Sequence, residues 1–268
     1  MRENVITIDG TSNLRDIGGY PTKSGGRLRR GLVYRSEALV FSGALTKASV
    51  YREDNAHAYK QIGVRTIFDL RGQQEVDASP SAWPHATGAE LIAFPMEAGG
   101  EGDATVVMNL LRQGKLHSFS VADLSRFYGA MVRKLAPMFG GALNALAQPG
   151  RLPALVHCAA GKDRTGMLVA LLMEALDVPR QHVFSDYAFT DVLRPNRVQQ
   201  YRELLENAGV EPDAVRSLFE SPAEAMQATL ESLEAEFGGV PAFLTNAAGV
   251  LPETLLHLRE QLVEEHAA

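Results

Sequence analysis

One cysteine and one tryptophan in 268 residues leave little for covalent cross-linking. A lone cysteine cannot close an internal disulfide, so the fold must rest on its core, a reducing compartment is the natural setting, and the thiol needs either a chemical role or an inert buried place. Positive charge is also short. Twenty-six Lys and Arg stand against 32 Asp and Glu, for a net charge of -6 and a pI near 5.7. That balance excludes a broad basic footprint for nucleic acid or an anionic membrane, so any anion site must be local. No apolar run is long enough to insert stably in a membrane. Residues 1–10 have no charged start, long apolar stretch or small-residue cleavage site of a secretory signal, which makes a cytoplasmic location the expectation, although signal-independent export would leave no mark. There is no internal repeat and no low-complexity tract.

What is present suffices for a full core, with 46% hydrophobic residues. The length fits a single domain over residues 1–268, with a core over about 10–195 and a helical extension or cap over 196–268. Short apolar runs predict strands at Leu32–Tyr34, Val64–Leu70, Glu90–Pro95 and Ala154–His157. Helical spacing runs from Val121 to Leu135, is broken near Pro137 and resumes from Met138 to Leu146. The run Gly166–Leu176 is apolar on nearly every side, as a helix central to a domain would be. Further helices are expected at Arg197–Asn207, at Pro252–Glu265, and from Ser221 to a stop at Gly238. The third of these is announced by a capping box, Ser221 with Glu224, and an early proline. This mixture predicts an α/β fold with a partly parallel central sheet flanked by helices. The glycine-rich stretch Glu97–Asp103 is the expected mobile loop.

The chemistry concentrates in His157-Cys158-Ala159-Ala160-Gly161-Lys162-Asp163-Arg164-Thr165-Gly166. A strand ends at Cys158, a tight turn follows, and Arg164 opens a buried helix. The N–H groups of Ala159, Ala160, Gly161, Lys162, Asp163 and Arg164 can then converge on a phosphate. A helix start with nearby cations is also the setting in which a cysteine sulfur becomes a nucleophile. Arg164 supplies a planar fork for two phosphate oxygens, and Lys162 adds a charge at the rim. Thr165 can donate its hydroxyl to the sulfur, His157 can fix the loop through backbone hydrogen bonds, and Gly161 permits a close approach.

The pattern H-C-x5-R-[S/T], in the form H-C-x-x-G-K-D-R-T-G, resembles the cysteine-based protein tyrosine and dual-specificity phosphatases, in the branch that contains the mycobacterial protein tyrosine phosphatase B. Asn13-Leu14-Arg15-Asp16-Ile17-Gly18-Gly19, Tyr34-Arg35-Ser36 and Thr66-Ile67-Phe68-Asp69-Leu70-Arg71 support the same branch. The resemblance implies a tyrosine phosphatase-like fold, hydrolysis through a phosphocysteine, and activity on phosphotyrosine, with phosphoserine, phosphothreonine or phosphoinositides as further substrates. Partners would be a phosphorylated protein or a phosphoinositide. The chemistry needs no cofactor and no metal, and the other histidines are scattered without ligand spacing.

A general acid is the open part. Many relatives carry an aspartate in a Trp-Pro-Asp loop, but here Trp83-Pro84 is followed by His85. Asp69, at a strand end, and Asp163, inside the loop, are equal candidates; Asp186 is a third. Asp163 would face an incoming phosphate dianion, so it must carry a proton or be paired with Lys162, Arg15 or Arg71. Arg15 and Arg71 read first as braces. Two other classes stay open: a phosphate-binding module without turnover, and a loop-cysteine sulfurtransferase.

Overall fold

The computed structural model describes residues 2–42 and 49–265. His266, at the end of the chain, lies outside them. Nine short strands occur among these residues: β1 (Arg15–Asp16), β2 (Arg27–Leu28), β3 (Val33–Ser36), β4 (Leu39–Val40), β5 (Ser49–Val50), β6 (Thr66–Asp69), β7 (Glu90–Ala93), β8 (Ala154–His157) and β9 (Val263–Glu264). Five of them build the central sheet in the order β1-β3-β8-β6-β7, parallel throughout except for β1 against β3. The sheet is mixed as expected. β1 was not foreseen, because two residues give no periodicity to read.

Alternation along the inner strands divides the core. Val33, Phe68 and Val156 face one large hydrophobic cluster, while Tyr34, Ile67 and Leu155 face a smaller one built around Tyr59 and Trp83. The smaller side is covered by α1 (Ala56–Gln61) and α3 (Trp83–Thr87), with α2 (Gln73–Ala78) between them in sequence. The tryptophan that mimics the acid loop is fully buried, and its indole N–H donates to the Glu37 carbonyl at 3.0 Å. It is a core residue.

The larger side carries α4 (Ala104–Arg112), α5 (Val121–Lys134), α6 (Ala136–Leu146), α7 (Asp163–Ala175) and α8 (Arg180–Leu193). Pro137 falls in the first turn of α6, where its missing N–H costs nothing, so the break comes at Leu135. α7 is buried on almost all faces. α4 was not predicted. Of the glycine-rich stretch before it, Asp103 caps α4 through Thr105 N–H, and Lys134 holds the Gly99 and Glu101 carbonyls, both at 2.8 Å.

Beyond residue 196 come α9 (Arg197–Gln200), α10 (Arg202–Asn207), α11 (Arg216–Phe219), α12 (Ala223–Phe237), α13 (Val240–Asn246) and α14 (Pro252–Leu262). The single helix expected over Arg197–Asn207 is interrupted at Tyr201. The capping box at Ser221 does not form. The Ser221 N–H donates to the Asp191 carboxylate at 2.9 Å, its hydroxyl is buried without a hydrogen bond, and α12 starts after Pro222. Gly238 does end α12, in the left-handed conformation at φ 82°. Met226, Leu230, Leu233 and Phe243 are fully buried in the same cluster as α7, so this extension is woven into the main core. The last helix stops at Leu262 because β9 pairs with β2.

Candidate active site

β8 delivers Cys158 to the carboxyl edge of the sheet, and α7 begins at Asp163. The turn between them is shaped by what holds its carbonyls. Cys158 O accepts from the His157 ring at 3.1 Å, and Ala159 O accepts from Ala38 N–H at 3.0 Å. Ala160 O accepts from Asn13 at 3.1 Å and Arg194 at 2.5 Å; Gly161 O accepts from Asn13 at 3.1 Å and Arg35 at 2.7 Å. Lys162 O accepts from Gly166 N–H at 2.8 Å. All five carbonyls of residues 158–162 are thus pulled away from the turn's interior. The N–H groups of residues 159–162 donate to no described acceptor, which leaves an anion cradle. Gly161 is obligatory here: its φ is 66°, and a Cβ would sit 2.3 Å from Ser36 O.

A buried ionic frame stands behind the turn. Asp186 of α8 binds Arg15 at 2.9 Å and Arg35 at 2.5 Å, all three side chains about 1% exposed. Burial opposes the charge on Asp186, but the two guanidiniums outweigh it and hold the carboxyl below its ordinary range. Asp186 and Arg15 are therefore braces. Glu37, also fully buried, accepts from Ser12 N–H at 2.7 Å and Asn13 N–H at 2.8 Å, which fixes Asn13 against the turn.

The fork of Arg164 is engaged. Its Nη1 and Nη2 donate to the Glu75 carboxylate at 2.5 and 2.8 Å, and Nη1 also reaches Leu70 O at 3.3 Å. Burial works against the charge of Glu75, and Arg164 overcomes this to hold the carboxyl low. Of the five guanidinium protons, Nε–H and one on Nη2 remain, neighbours on one edge and matched to two phosphate oxygens.

The other predicted residues divide. Asp163 lines the cavity, and its Oδ1 accepts from Tyr128 OH at 2.6 Å with Lys162 Nζ at 3.3 Å. Asp69 does not line it. Asp69 is 1% exposed and paired with Arg71 through contacts of 2.6 to 3.1 Å. Burial disfavours its charge, yet His157 and Arg71 nearby keep its carboxyl low, a placement that speaks for a brace rather than a proton donor. His157 is fully buried, and desolvation holds its ring below its ordinary value; its Nδ1 donates to Cys158 O at 3.1 Å, and its Nε2 lies 3.2 Å from the Ser81 hydroxyl. Two expectations need correction. Lys162 lines the cavity, but its Nζ is drawn to the carbonyls of Leu218 at 2.7 Å and Glu220 at 2.9 Å rather than standing as a free charge at the rim. The Thr165 hydroxyl is buried and makes no hydrogen bond, to the sulfur or to any other described atom.

Cys158 opens into a cavity of about 270 Å³. Thr105 and Met108 of α4, Phe127 of α5, and Tyr201, Leu218 and Phe219 from the extension form walls around it. Arg112 and Arg197 add charge at its margin. The extension therefore borders the site. Sequence reading missed Glu75, Tyr128 and Tyr187; only Glu75 left a signal, as the third residue of a helix start at Gly72, and that signal points to capping.

The tyrosine phosphatase family model matches residues 6–264. The chain belongs to the tyrosine phosphatase family. Within it, a Cupriavidus necator protein classed among tyrosine-protein phosphatases is 27% identical over 249 residues, covering 91% of this chain and 84% of the relative. The triple specificity protein phosphatase PtpB of Mycobacterium tuberculosis is 25% identical over 287 residues, covering 97% and 99%. Among solved structures, the core catalytic domain of the S. cerevisiae PP-IP phosphatase Siw14 aligns over 74% of this tyrosine phosphatase family member and 87% of its own chain, at 16% identity and a TM-score of 0.36.

Proposed function

We propose that this phosphatase hydrolyses phosphotyrosine and related aryl phosphomonoesters by two in-line displacements at Cys158. The sulfur attacks phosphorus, the ester P–O bond breaks, and Asp163 gives its proton to the departing phenoxide. Water then attacks the phosphocysteine, Asp163 takes a proton from it, and the sulfur leaves with the electron pair of the S–P bond. The loop N–H groups and the free edge of Arg164 stabilise the equatorial oxygens in both steps. The observation that carries this reading is the outward anchoring of all five carbonyls at residues 158–162, which leaves a preorganised cradle facing the only cysteine of the chain. Met108, Phe127 and Phe219 supply apolar walls suited to an aryl ring. A phosphoinositide headgroup is a second reading, favoured by Arg112 and Arg197 on the same cavity.

Single-turnover kinetics with a phosphotyrosyl peptide test the mechanism. Cys158→Ser is expected to form no phosphoenzyme, and substantial residual turnover would sink the proposal. Asp163→Asn should slow poor leaving groups most, whereas Asp69→Asn should leave the dependence on leaving-group basicity unchanged.

A further inference from the structure

Tyr128 on α5 and Tyr187 on α8 are both fully buried, yet their hydroxyls meet at 2.6 Å, and Tyr128 OH continues to Asp163 Oδ1 at 2.6 Å. We propose that these two tyrosines are positioning residues that keep the catalytic proton of Asp163 on Oδ2, the oxygen left to the substrate. The inference rests on the reading of Asp163 as the acid and base of the reaction.

Each phenol has one O–H. With Tyr128 donating to Oδ1, its oxygen is left to accept from Tyr187, and the chain runs Tyr187 to Tyr128 to Asp163 with every hydroxyl proton used. Burial first, and then the charge of Asp163, push both phenols well above their ordinary range, so neither ionises. A proton placed on Oδ1 would force Tyr128 to turn and donate to Tyr187. The Tyr187 hydroxyl would then keep its proton in a dry interior without a partner, at a cost of about 1–3 kcal/mol. Lys162 Nζ, 3.3 Å from Oδ1, disfavours a proton there as well. Oδ2 accepts no hydrogen bond from a described residue, so the proton is directed to it. In the first displacement the Oδ2–H bond breaks as the phenol O–H forms.

The other charges around this carboxyl are known. Arg164 is its neighbour in the loop and is paired with Glu75 of α2; Arg35 and Asp191 act on Tyr187; Arg112 and Arg197 line the same cavity. Arg164, Arg35, Asp191 and Arg112 make no hydrogen bond to Asp163 among the described contacts. Among the described residues the Tyr128 hydroxyl is the one that hydrogen-bonds Asp163, which makes its effect separable.

The test is the pH profile of kcat on aryl phosphates of differing leaving-group basicity. Asp163→Asn should abolish the basic limb, where the acid form is lost. Tyr128→Phe removes a donor to the ionised carboxylate, so the limb should move up by about one pH unit. Tyr187→Phe should move it the same way by less. Replacing Tyr128 by 3-fluorotyrosine keeps the packing while strengthening the donor, and should move the limb down; this variant decides the matter if Tyr128→Phe folds poorly. A limb that stays fixed in the Tyr128 variants while Asp163→Asn removes it overturns the positioning role and leaves Asp163 as the acid. A uniform fall in kcat at every pH and for every leaving group also overturns it. A basic limb that persists in Asp163→Asn overturns the parent reading, and the inference falls with it.

Discussion

Arg164 can hold phosphate with one edge because Glu75 occupies the other. A neutral amide cannot accept equally at both positions, so Glu75→Gln leaves the fork free to rotate. Charge-assisted bonds of this kind contribute about 1.5–3 kcal/mol, and kcat/KM is expected to fall roughly 10- to 100-fold, read in steady-state kinetics with the loss divided between kcat and KM. A variant with unchanged kcat/KM would show that the cradle holds the arginine unaided. Cys158 and Arg164 were legible in the sequence because the chain itself spaces them, on a turn whose shape is local. Glu75 and Tyr128 were not. They reach the loop from 89 and 35 residues away, and a glutamate in a first helical turn or a tyrosine on an amphipathic helix reads as cap or core. A strand-end aspartate such as Asp69 reads as catalytic from position alone, and the guanidinium two residues later that folds back on it is not visible in the pattern.

Lys162 ties the loop to α11. Its ammonium satisfies the Leu218 and Glu220 carbonyls at the helix end, where a cation also complements the helix dipole. Leu218 and Phe219 wall the cavity, so Lys162→Met should loosen that wall while keeping the loop N–H groups and removing the ammonium 3.3 Å from Asp163 Oδ1. Amide hydrogen exchange over residues 216–221 is expected to quicken, with KM for aryl phosphates rising more than kcat falls; unchanged exchange would remove Lys162 from this role. α5 and α6 were readable from helical spacing, and α7 from an apolar run that faces core on nearly every side. α4 was missed although its sequence is amphipathic and Asp103 caps it, because the glycines just before it read as loop; the break at Tyr201, whose side chain lines the cavity, left no local signal. Ser221 shows the limit of motif reading. A capping pattern was present, but the Asp191 carboxylate offered its N–H a better partner.

The whole molecule carries a buried ionic frame, and its stability should record that. Asp186, Asp69, Glu75 and Glu37 are all held below their ordinary values. Their contribution is complete above the unfolded-chain value and is lost as pH falls through the lowered native values, from about pH 4 downward. His157 is also lowered, by burial. The unfolded chain therefore binds that proton first, and stability begins to fall as pH drops below about 6.5. Burial raises Asp16 and Asp191, which act in the opposite sense. Thermal unfolding across pH should show a shallow decline below neutrality and a steep one in acid; a flat Tm from pH 7 to 4 would count against the lowering of His157 by burial. Asp186→Asn strands two buried guanidiniums and should cost about 3–5 kcal/mol. The mixed sheet was visible in the sequence as four apolar runs. The frame was not, because Arg15, Arg35 and Asp186 become neighbours only when the first and last parts of the core close together.

The tethered carbonyls carry a consequence in time. Their donors come from Asn13, Arg35, Ala38, His157 and Arg194, so no short stretch of chain can shape the cradle alone. Contacts of such sequence separation form late in folding. A chain still on the ribosome with α8 unmade has Cys158 and Arg164 but lacks Arg194 on the Ala160 carbonyl and the Asp186 carboxylate that holds Arg35. The fully tethered cradle therefore waits for α8 and Arg194, and bound phosphate then stabilises the whole fold rather than the loop by itself.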